Sequence, residues 1–324
     1  MENIYFWIIF NVFVLGLLIL DLFVLNRKTE TVTVKSALWW SAFWIGLAIA
    51  FNIFVYFWKG KNAAFEFLTG YLLEESLSVD NLFVFMLIFN YFRVPSEYQR
   101  KVLFWGIIGA LVLRAFFIVV GVSLINQFHW MGFILGGFLI FTGAKMALEK
   151  DEEINPEKNP IILLVNKFLR VTKNYHGSDF FTRINGQLFA TPLFIVVLVV
   201  ETTDVVFAVD SIPAILAVSK DPFIVYTSNV FALLGLRSLY FALAGIMQLF
   251  HYINYGLSLI LVFIGIKLVG DSGGWFEIEM KYALMIVAGI LTLSILFSIW
   301  FPKKDEDQND EEPKDESVEA KENK

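Results

Sequence analysis

Three acidic residues interrupt a long apolar stretch at residues 191–213, which read TPLFIVVLVVETTDVVFAVDSIP. About 20 apolar residues are enough for a helix to cross the roughly 30 Å hydrocarbon core of a bilayer. A charged side chain at the bilayer centre costs about 2.5–3.5 kcal/mol, so we expect Glu201, Asp204 and Asp210 to face the protein interior and not lipid. The stretch therefore predicts a membrane helix with a functional face.

Eight further apolar stretches of comparable length occur in the chain. They cover residues 4–26, 37–58, 67–90, 102–122, 130–148, 223–247, 253–270 and 281–301. Of the 324 residues, 57% are hydrophobic and 17% are charged, which leaves too few polar side chains to cover a water-exposed surface. We therefore predict an all-α, polytopic transmembrane helical bundle of about nine spans over residues 1–302.

Lysine and arginine residues are distributed unequally between the loops. If the N-terminus is outside, fourteen of them lie in inner loops, and the outer loops hold only Lys59, Lys61, Lys220 and Lys281. Under the positive-inside rule this bias predicts an outside N-terminus and a cytoplasmic C-terminus. The longest loop, about 149–190, is then cytoplasmic, and its residues 161–173 form either a surface connector or an interfacial amphipathic helix. Residues 303–324 carry −5 of the net charge of −6, and we expect a disordered acidic tail.

The spans at 67–148 resemble those at 191–270. Residues 78–82 (SVDNL) align with 208–212 (AVDSI), residues 113–115 (LRA) with 236–238 (LRS), and residues 143–145 (GAK) with 265–267 (GIK), at offsets of 130, 123 and 122. Each unit has three spans, an odd number, so the second unit must enter the membrane from the opposite side. This predicts a three-plus-three inverted-topology repeat, which in transporters places the substrate near the bilayer midplane.

The third span carries Glu74, Glu75 and Asp80 in addition to the three acids of the sixth span. At 100° per residue, one stripe on the sixth span holds Glu201, Asp204, Ala208 and Ser211, and the aligned stripe on the third span holds Tyr71, Glu74, Ser78 and Asn81. Asp80 and Asp210 point about 120° away from Glu74 and Asp204. Either two sites exist or the helix unwinds locally, and Pro213 favours a break in the sixth span.

Four basic residues within the spans, Arg114, Lys145, Arg237 and Lys267, are expected to pair with these acids. The six acids and four bases sum to −2, which one divalent cation would neutralise. Carboxylate, amide and hydroxyl oxygens suit Mg²⁺, Ca²⁺ or Mn²⁺, whereas zinc and copper favour His, Cys or Met. Lys145 and Lys267 lie near span ends, where they could snorkel to the headgroups. The alternative is a buried ion-pair network that only holds the two halves together.

The residues for most enzyme mechanisms are missing from this chain. It has no cysteine, and its three histidines, His129, His176 and His251, are scattered at loops or span ends with no metal-ligand spacing. An aspartyl dyad of Asp80 and Asp210 is the remaining hydrolase option. We therefore expect a protein that is not an enzyme.

Two motifs resemble the signatures of the TerC family of integral membrane proteins. They are residues 74–81 (EESLSVDN) and 201–214 (ETTDVVFAVDSIPA), and the likeness extends to 221–223 (DPF), 227–229 (TSN) and 234–237 (LGLR). The resemblance implies a bacterial inner-membrane exporter of manganese, with Mn²⁺ as the transported substrate. It implies that the metal ligands are Glu74, Asp80, Asn81, Glu201, Asp204, Asp210 and Ser211. Glu75 falls at a position that varies in the family.

The leading hypothesis is a secondary transporter that exports Mn²⁺ through a midplane carboxylate site, with protons as a plausible counter-ion. Crowded carboxylates exchange protons for metal, which is why protons fit this role. Two alternatives remain open: a Ca²⁺/H⁺ type antiporter, and a membrane scaffold that assists the metalation or insertion of exported proteins.

Overall fold

The computed structural model describes residues 4–20, 33–128, 130–148, 170–172, 174–184, 186–243 and 253–300, except for the side chains of Asp80 and Ile253. These residues form nine helices and one two-stranded hairpin. The helices are α1 (Ile4–Leu20), α2 (Val34–Lys59), α3 (Lys61–Tyr91), α4 (Ser96–Gln127), α5 (Met131–Leu148), α6 (Pro192–Leu216), α7 (Pro222–Leu243), α8 (Ile253–Gly273) and α9 (Met280–Trp300), and the strands are β1 (Phe181–Ile184) and β2 (Gln187–Ala190). The prediction of a polytopic helical membrane protein is confirmed.

Seven of these helices are long and apolar enough to cross a membrane. The other two are α1, which has 17 residues, and α3, whose 31 residues include the carboxylates of the third predicted span. On α4 the outward side chains Val112, Phe116 and Val119 are exposed, whereas Arg114 and Ile118 are buried. An apolar outer face around a polar interior is the arrangement that a lipid environment favours.

Helix α7 lies at the centre of the bundle, since nearly all of its side chains are buried. It packs against α2, α3 and α4, and α6 packs against both α3 and α4. Helix α9 contacts α3 and α8. The two acid-bearing helices, α3 and α6, are therefore in contact with each other and enclosed by their neighbours.

Helices α5 and α8 form the closest helix pair of the structure, and small residues line their contact. A Cβ atom on Gly136 would lie 2.8 Å from the Gly265 carbonyl oxygen, and one on Gly143 would lie 2.7 Å from the Ser258 carbonyl oxygen. The Ser258 hydroxyl donates a hydrogen bond of 2.8 Å to the Gly143 carbonyl. Residue numbers rise along α5 as they fall along α8, so the two helices run antiparallel. Small residues at such contacts let membrane helices approach closely.

Hydrogen bonds near the helix ends mark the two ends of the bundle. At one end the Ser219 hydroxyl donates a hydrogen bond of 2.6 Å to Glu66. At the other end the Tyr175 hydroxyl donates one of 2.8 Å to the Phe92 carbonyl, and Tyr240 donates one of 3.0 Å to Gln99. We call the end with Glu66 the outer end, following the predicted orientation, and the end with Phe92 the inner end.

Two local features differ from the sequence-based expectations. Helix α6 continues through Pro213 to Leu216, so the predicted break is wrong. Pro213 lies in the last turn, where few backbone hydrogen bonds remain to be lost. The loop before α6 contains the antiparallel hairpin of β1 and β2, which was not expected. The predicted interfacial helix falls almost entirely outside the described residues, and the acidic tail at 303–324 lies wholly outside them.

Candidate functional site

Both predicted polar stripes face the interior of the bundle. On α3, Tyr71, Glu74, Ser78 and Asn81 are all buried. On α6, Asp204, Ala208 and Ser211 are buried, and Glu201 is half-buried. The helical periodicity that predicted these stripes is confirmed. Asp80 lies on α3 too, but its side chain is outside the part of the chain that the structure describes.

Arg114 of α4 joins the two stripes. Its guanidinium forms an ion pair with Glu74 and lies 3.1 Å from the Asp204 carboxylate, and its side chain is 1% exposed. It also donates a hydrogen bond of 3.1 Å to the Asn229 side-chain oxygen. Arg114 thus contacts an acid of each stripe, and the formal charge of two carboxylates and one guanidinium is −1.

Asn229 of α7 is a member of this network that the charge analysis did not include. Its side-chain amide donates a hydrogen bond of 3.0 Å to the Val225 carbonyl, and this bond turns its oxygen towards Arg114. A signal was present in the sequence, because Thr227, Ser228 and Asn229 form a polar triplet within an apolar span. All three residues are buried.

Several buried oxygen atoms on α3 and α6 have no hydrogen-bond partner within the described part of the chain. They are Glu74 Oε2, Glu75 Oε2 and Ser78 Oγ on α3, and Ser211 Oγ on α6. Leaving a buried polar group unsatisfied costs about 1–3 kcal/mol. Unsatisfied groups in a native structure call for an explanation such as a bound ion or water. Carboxylate and hydroxyl oxygens are ligands that hard cations accept.

The other two acids of α6 have different neighbours. Glu201 lies against α4, where a Cβ atom on Gly109 would be 2.0 Å from its carboxylate. The Thr142 hydroxyl of α5 donates a hydrogen bond of 3.3 Å to Asp210. An unbroken α6 therefore directs Asp204 and Asp210 towards different helices. Among the described side chains, no three His, Cys, Asp or Glu residues are placed to hold one metal ion together.

The remaining predicted basic residues lie in different surroundings. Lys145 is exposed, whereas Arg237 is buried with 7% of its surface exposed. Lys267, for which either pairing with an acid or snorkelling to the headgroups was considered, is 5% exposed. It lies 2.5 Å from Asp271 and 3.4 Å from the Ala217 carbonyl, because the end of α6 packs near α8. Lys267 therefore pairs inside the protein instead of snorkelling.

A cavity of about 930 Å³ opens at the outer end. The ends of α3, α6 and α8 and the start of α9 line it, with Glu66, Ser219, Lys267 and Asp271 on its walls. Along α3, Glu74 follows Glu66 by eight residues, which is a rise of about 12 Å. The cavity therefore lies on the outer side of the Arg114 network, and none of the described residues of that network lines it.

His176 takes no part in these contacts. His176 is exposed in the loop before the hairpin, and His129 and His251 lie outside the described residues. The acids are thus the main candidate ligands of the site.

Comparison with known proteins places the chain in a family. The profile of the "Integral membrane protein TerC family" matches residues 59–306. An uncharacterized membrane protein of Myxococcus xanthus is 47% identical over 293 residues, which cover 90% of this chain and 91% of that protein. A protein of Escherichia coli (strain K12) named "Putative membrane-bound redox modulator Alx" is 45% identical over 304 residues, covering 91% and 94%.

A membrane protein of Rickettsia bellii is 41% identical over 293 residues, covering 90% of this chain and 96% of that protein. No solved structure matches the chain. The resemblance seen in the two acidic motifs thus extends over most of the sequence, and this chain belongs to the TerC family of integral membrane proteins.

Proposed function

We propose that this protein is a secondary transporter that exports Mn²⁺ across the bacterial inner membrane. The observation that carries the proposal is a set of buried oxygens without partners in the described part of the chain, Glu74 Oε2, Ser78 Oγ and Ser211 Oγ. They lie on α3 and α6, the two helices that Arg114 joins in a network with a formal charge of −1. A cation that sheds its water can take these oxygens as ligands and satisfy them.

The donor set favours a hard divalent cation. Glu74, Asp204, Asn81 and Ser211 offer oxygen only, and the chain has no cysteine for a soft metal. A divalent ion also compensates a negative centre better than a monovalent ion does. Mn²⁺ is the choice that the family resemblance implies among the ions that accept such ligands.

The helix contacts support the inverted repeat that the transport mechanism requires. In the alignment at offset 122, Gly136 corresponds to Ser258 and Gly143 to Gly265. The alignment therefore converts the contact between Gly136 and Gly265 into the contact between Gly143 and Ser258. This equivalence is what a two-fold axis between α5 and α8 requires. In the same way α4 packs on α6 as its counterpart α7 packs on α3.

The decisive experiment is uptake of Mn²⁺ into inside-out vesicles by the wild type and by Asp80→Asn, Asp204→Asn and Asp210→Asn. Asparagine keeps the shape of aspartate but removes its charge, so each variant should insert normally and lose transport. Asp179→Asn, at an exposed loop position, is the matched control and should transport as the wild type does. Equal uptake by all variants would refute the proposal.

The name of the Escherichia coli relative suggests redox modulation for that protein. In the present chain thiol chemistry is excluded, because there is no cysteine to oxidise or reduce. Transport of a metal ion remains compatible with the residues that the chain does have.

A further inference from the structure

We infer that Glu74 and Asp204 form a carboxylate pair that is shared by two arginines, Arg114 and Arg237, which bind it alternately as the two ends of the protein open. The inference rests on the proposed transport function and names the internal cations that would hold the carrier's charge when no metal is bound. It assigns to Arg237 a role equivalent to that of Arg114.

The repeat places the carboxylate pair and the arginines in a defined relation. Glu74 and Asp204 are 130 residues apart, which is the offset between α3 and α6. They therefore occupy equivalent positions in the two repeats, and a two-fold axis that exchanges the repeats would exchange these two acids. Arg114 and Arg237 are 123 residues apart, which is the offset between α4 and α7, so the same exchange converts one arginine into the other. One pair of acids therefore has two symmetry-related candidate partners.

Each arginine lies on a helix that packs against one acid-bearing helix, α4 against α6 and α7 against α3. Arg114 binds Glu74 and Asp204 in the present structure. Arg237 is buried on α7, the helix that packs against both α3 and α4. Its near neighbour Gly235 faces Glu75, since a Cβ atom on Gly235 would lie 3.8 Å from the Glu75 carboxylate. Arg237 follows Gly235 by two residues, about 3 Å along α7, so its backbone lies near the level of the acidic turn of α3.

The two ends of the structure differ from each other. Such a difference is required if the carboxylate pair binds Arg114 in one state and Arg237 in the other. At the outer end Lys61, Phe65 and Glu66 line the open cavity. Their counterparts at the inner end are Thr191, Ile195 and Val196, all of which are buried. The structure therefore combines a cavity at the outer end with Arg114 on the carboxylate pair, and we assign this combination to the outward-open state. Exchanging the conformations of the repeats gives an open inner end with Arg237 on the pair.

This exchange meets a physical requirement of an empty carrier. Two buried carboxylates without a cation are strongly unfavourable, so a carrier that released its metal could not reorient without a substitute. An arginine stays charged at all physiological pH values and can bind two carboxylates at once. When Arg237 replaces Arg114 on the carboxylate pair, an arginine compensates the negative charge of the pair in both end states.

The test is thiol labelling, for which the absence of cysteine makes the natural chain a clean background. Phe65→Cys reports on the outer cavity, and Ile195→Cys reports on the equivalent inner position. Each is labelled with a membrane-impermeant maleimide from its own side, in right-side-out and inside-out vesicles without metal. In each reporter background the rates are compared for native arginines, Arg114→Gln and Arg237→Gln.

We expect opposite effects of the two arginine substitutions. Arg114→Gln should lower the labelling of Phe65→Cys and raise that of Ile195→Cys, each by about tenfold or more, because it removes the partner used in the outward-open state. Arg237→Gln should do the reverse. Shifts in the same direction, or no shift with either variant, would overturn the inference.

Two further variants guard against trivial explanations. If Arg114→Gln does not insert, Arg114→Lys, which keeps the charge but loses the two-pronged geometry, should shift labelling in the same direction. In a Glu74→Gln/Asp204→Asn background neither arginine substitution should shift labelling, and a persisting shift would contradict the shared pair. Because no metal is present, the labelling results are independent of Mn²⁺ flux. Opposite shifts in labelling without Mn²⁺ flux would refute the proposed substrate alone. Mn²⁺ flux without opposite shifts in labelling would refute the arginine exchange alone.

Discussion

The carbonyl oxygen of Gly136 lies 2.7 Å from the position that a Cβ atom on Gly265 would occupy, and the reverse distance is 2.8 Å. The backbones of α5 and α8 thus touch where each helix has no side chain. This contact joins the last helices of the two proposed repeats. It can hold the two halves together while the acid-bearing helices change their surroundings.

Gly136→Ala should destabilise the protein, because the added methyl group meets backbone atoms that cannot move aside. The expected loss is about 1–3 kcal/mol in the free energy of unfolding, as for overpacked cores. The adjacent residue provides the control, since a Cβ atom on Gly137 has nothing within 4 Å. Thermal unfolding in detergent should show a lower Tm for Gly136→Ala but not for Gly137→Ala, and equal values for both would contradict this account of the contact.

Gly109→Ala should impair transport without unfolding the protein. The new methyl group would lie 2.0 Å from the Glu201 carboxylate, which is the end of a flexible side chain and can move. Displacing a metal ligand or its support typically costs about 10-fold or more in metal affinity, so the apparent KM for Mn²⁺ should rise by about that factor. Gly46→Ala, which meets nothing within 4 Å, is the control. An unchanged KM for Gly109→Ala would remove Glu201 from the ion path.

The orientation of the acids could be predicted from the sequence, whereas their partners could not. Helical periodicity alone places Glu74 and Asp204 on interior stripes, because a charged side chain in an apolar helix must avoid lipid. That Arg114 bridges them, with Asn229 behind it, depends on how four helices meet. The burial of Lys267 likewise depends on the approach of α6 to α8, which no single span reveals.

The hairpin in the loop before α6 was missed for a different reason. Residues 185 and 186 are Asn and Gly, the dipeptide that most strongly favours a two-residue hairpin turn, and Gly186 has a φ of 78°. The signal for the hairpin was therefore present in the sequence. The break expected at Pro213 was wrong for a related reason: the effect of a proline depends on its distance from the helix end, which the sequence does not fix.

Arg114→Gln should make the stability of the protein depend on metal. Removing the guanidinium leaves Glu74 and Asp204 buried together, which costs about 3–5 kcal/mol for a buried pair that loses one partner. Mn²⁺ can take the place of the lost charge, so adding it should restore much of the lowered Tm. Arg183→Gln, at an exposed position of the hairpin, should lower neither the Tm nor its metal response. A metal-independent loss of stability in Arg114→Gln would favour a purely structural network.

Thr142→Val tests whether Asp210 belongs to the ion path. Valine keeps the shape of threonine but removes the hydroxyl that donates to Asp210, so the carboxylate loses its fixed orientation. If Asp210 binds the ion on its way to the outer end, the apparent affinity for Mn²⁺ should fall by up to about tenfold, the loss expected when a metal ligand loses its supporting hydrogen bond. Thr292→Val is the matched control, because the Thr292 hydroxyl bonds only to the Ala288 carbonyl of its own helix. An equal response of the two valine variants would place Asp210 outside the path and leave the Arg114 network as the centre of the site.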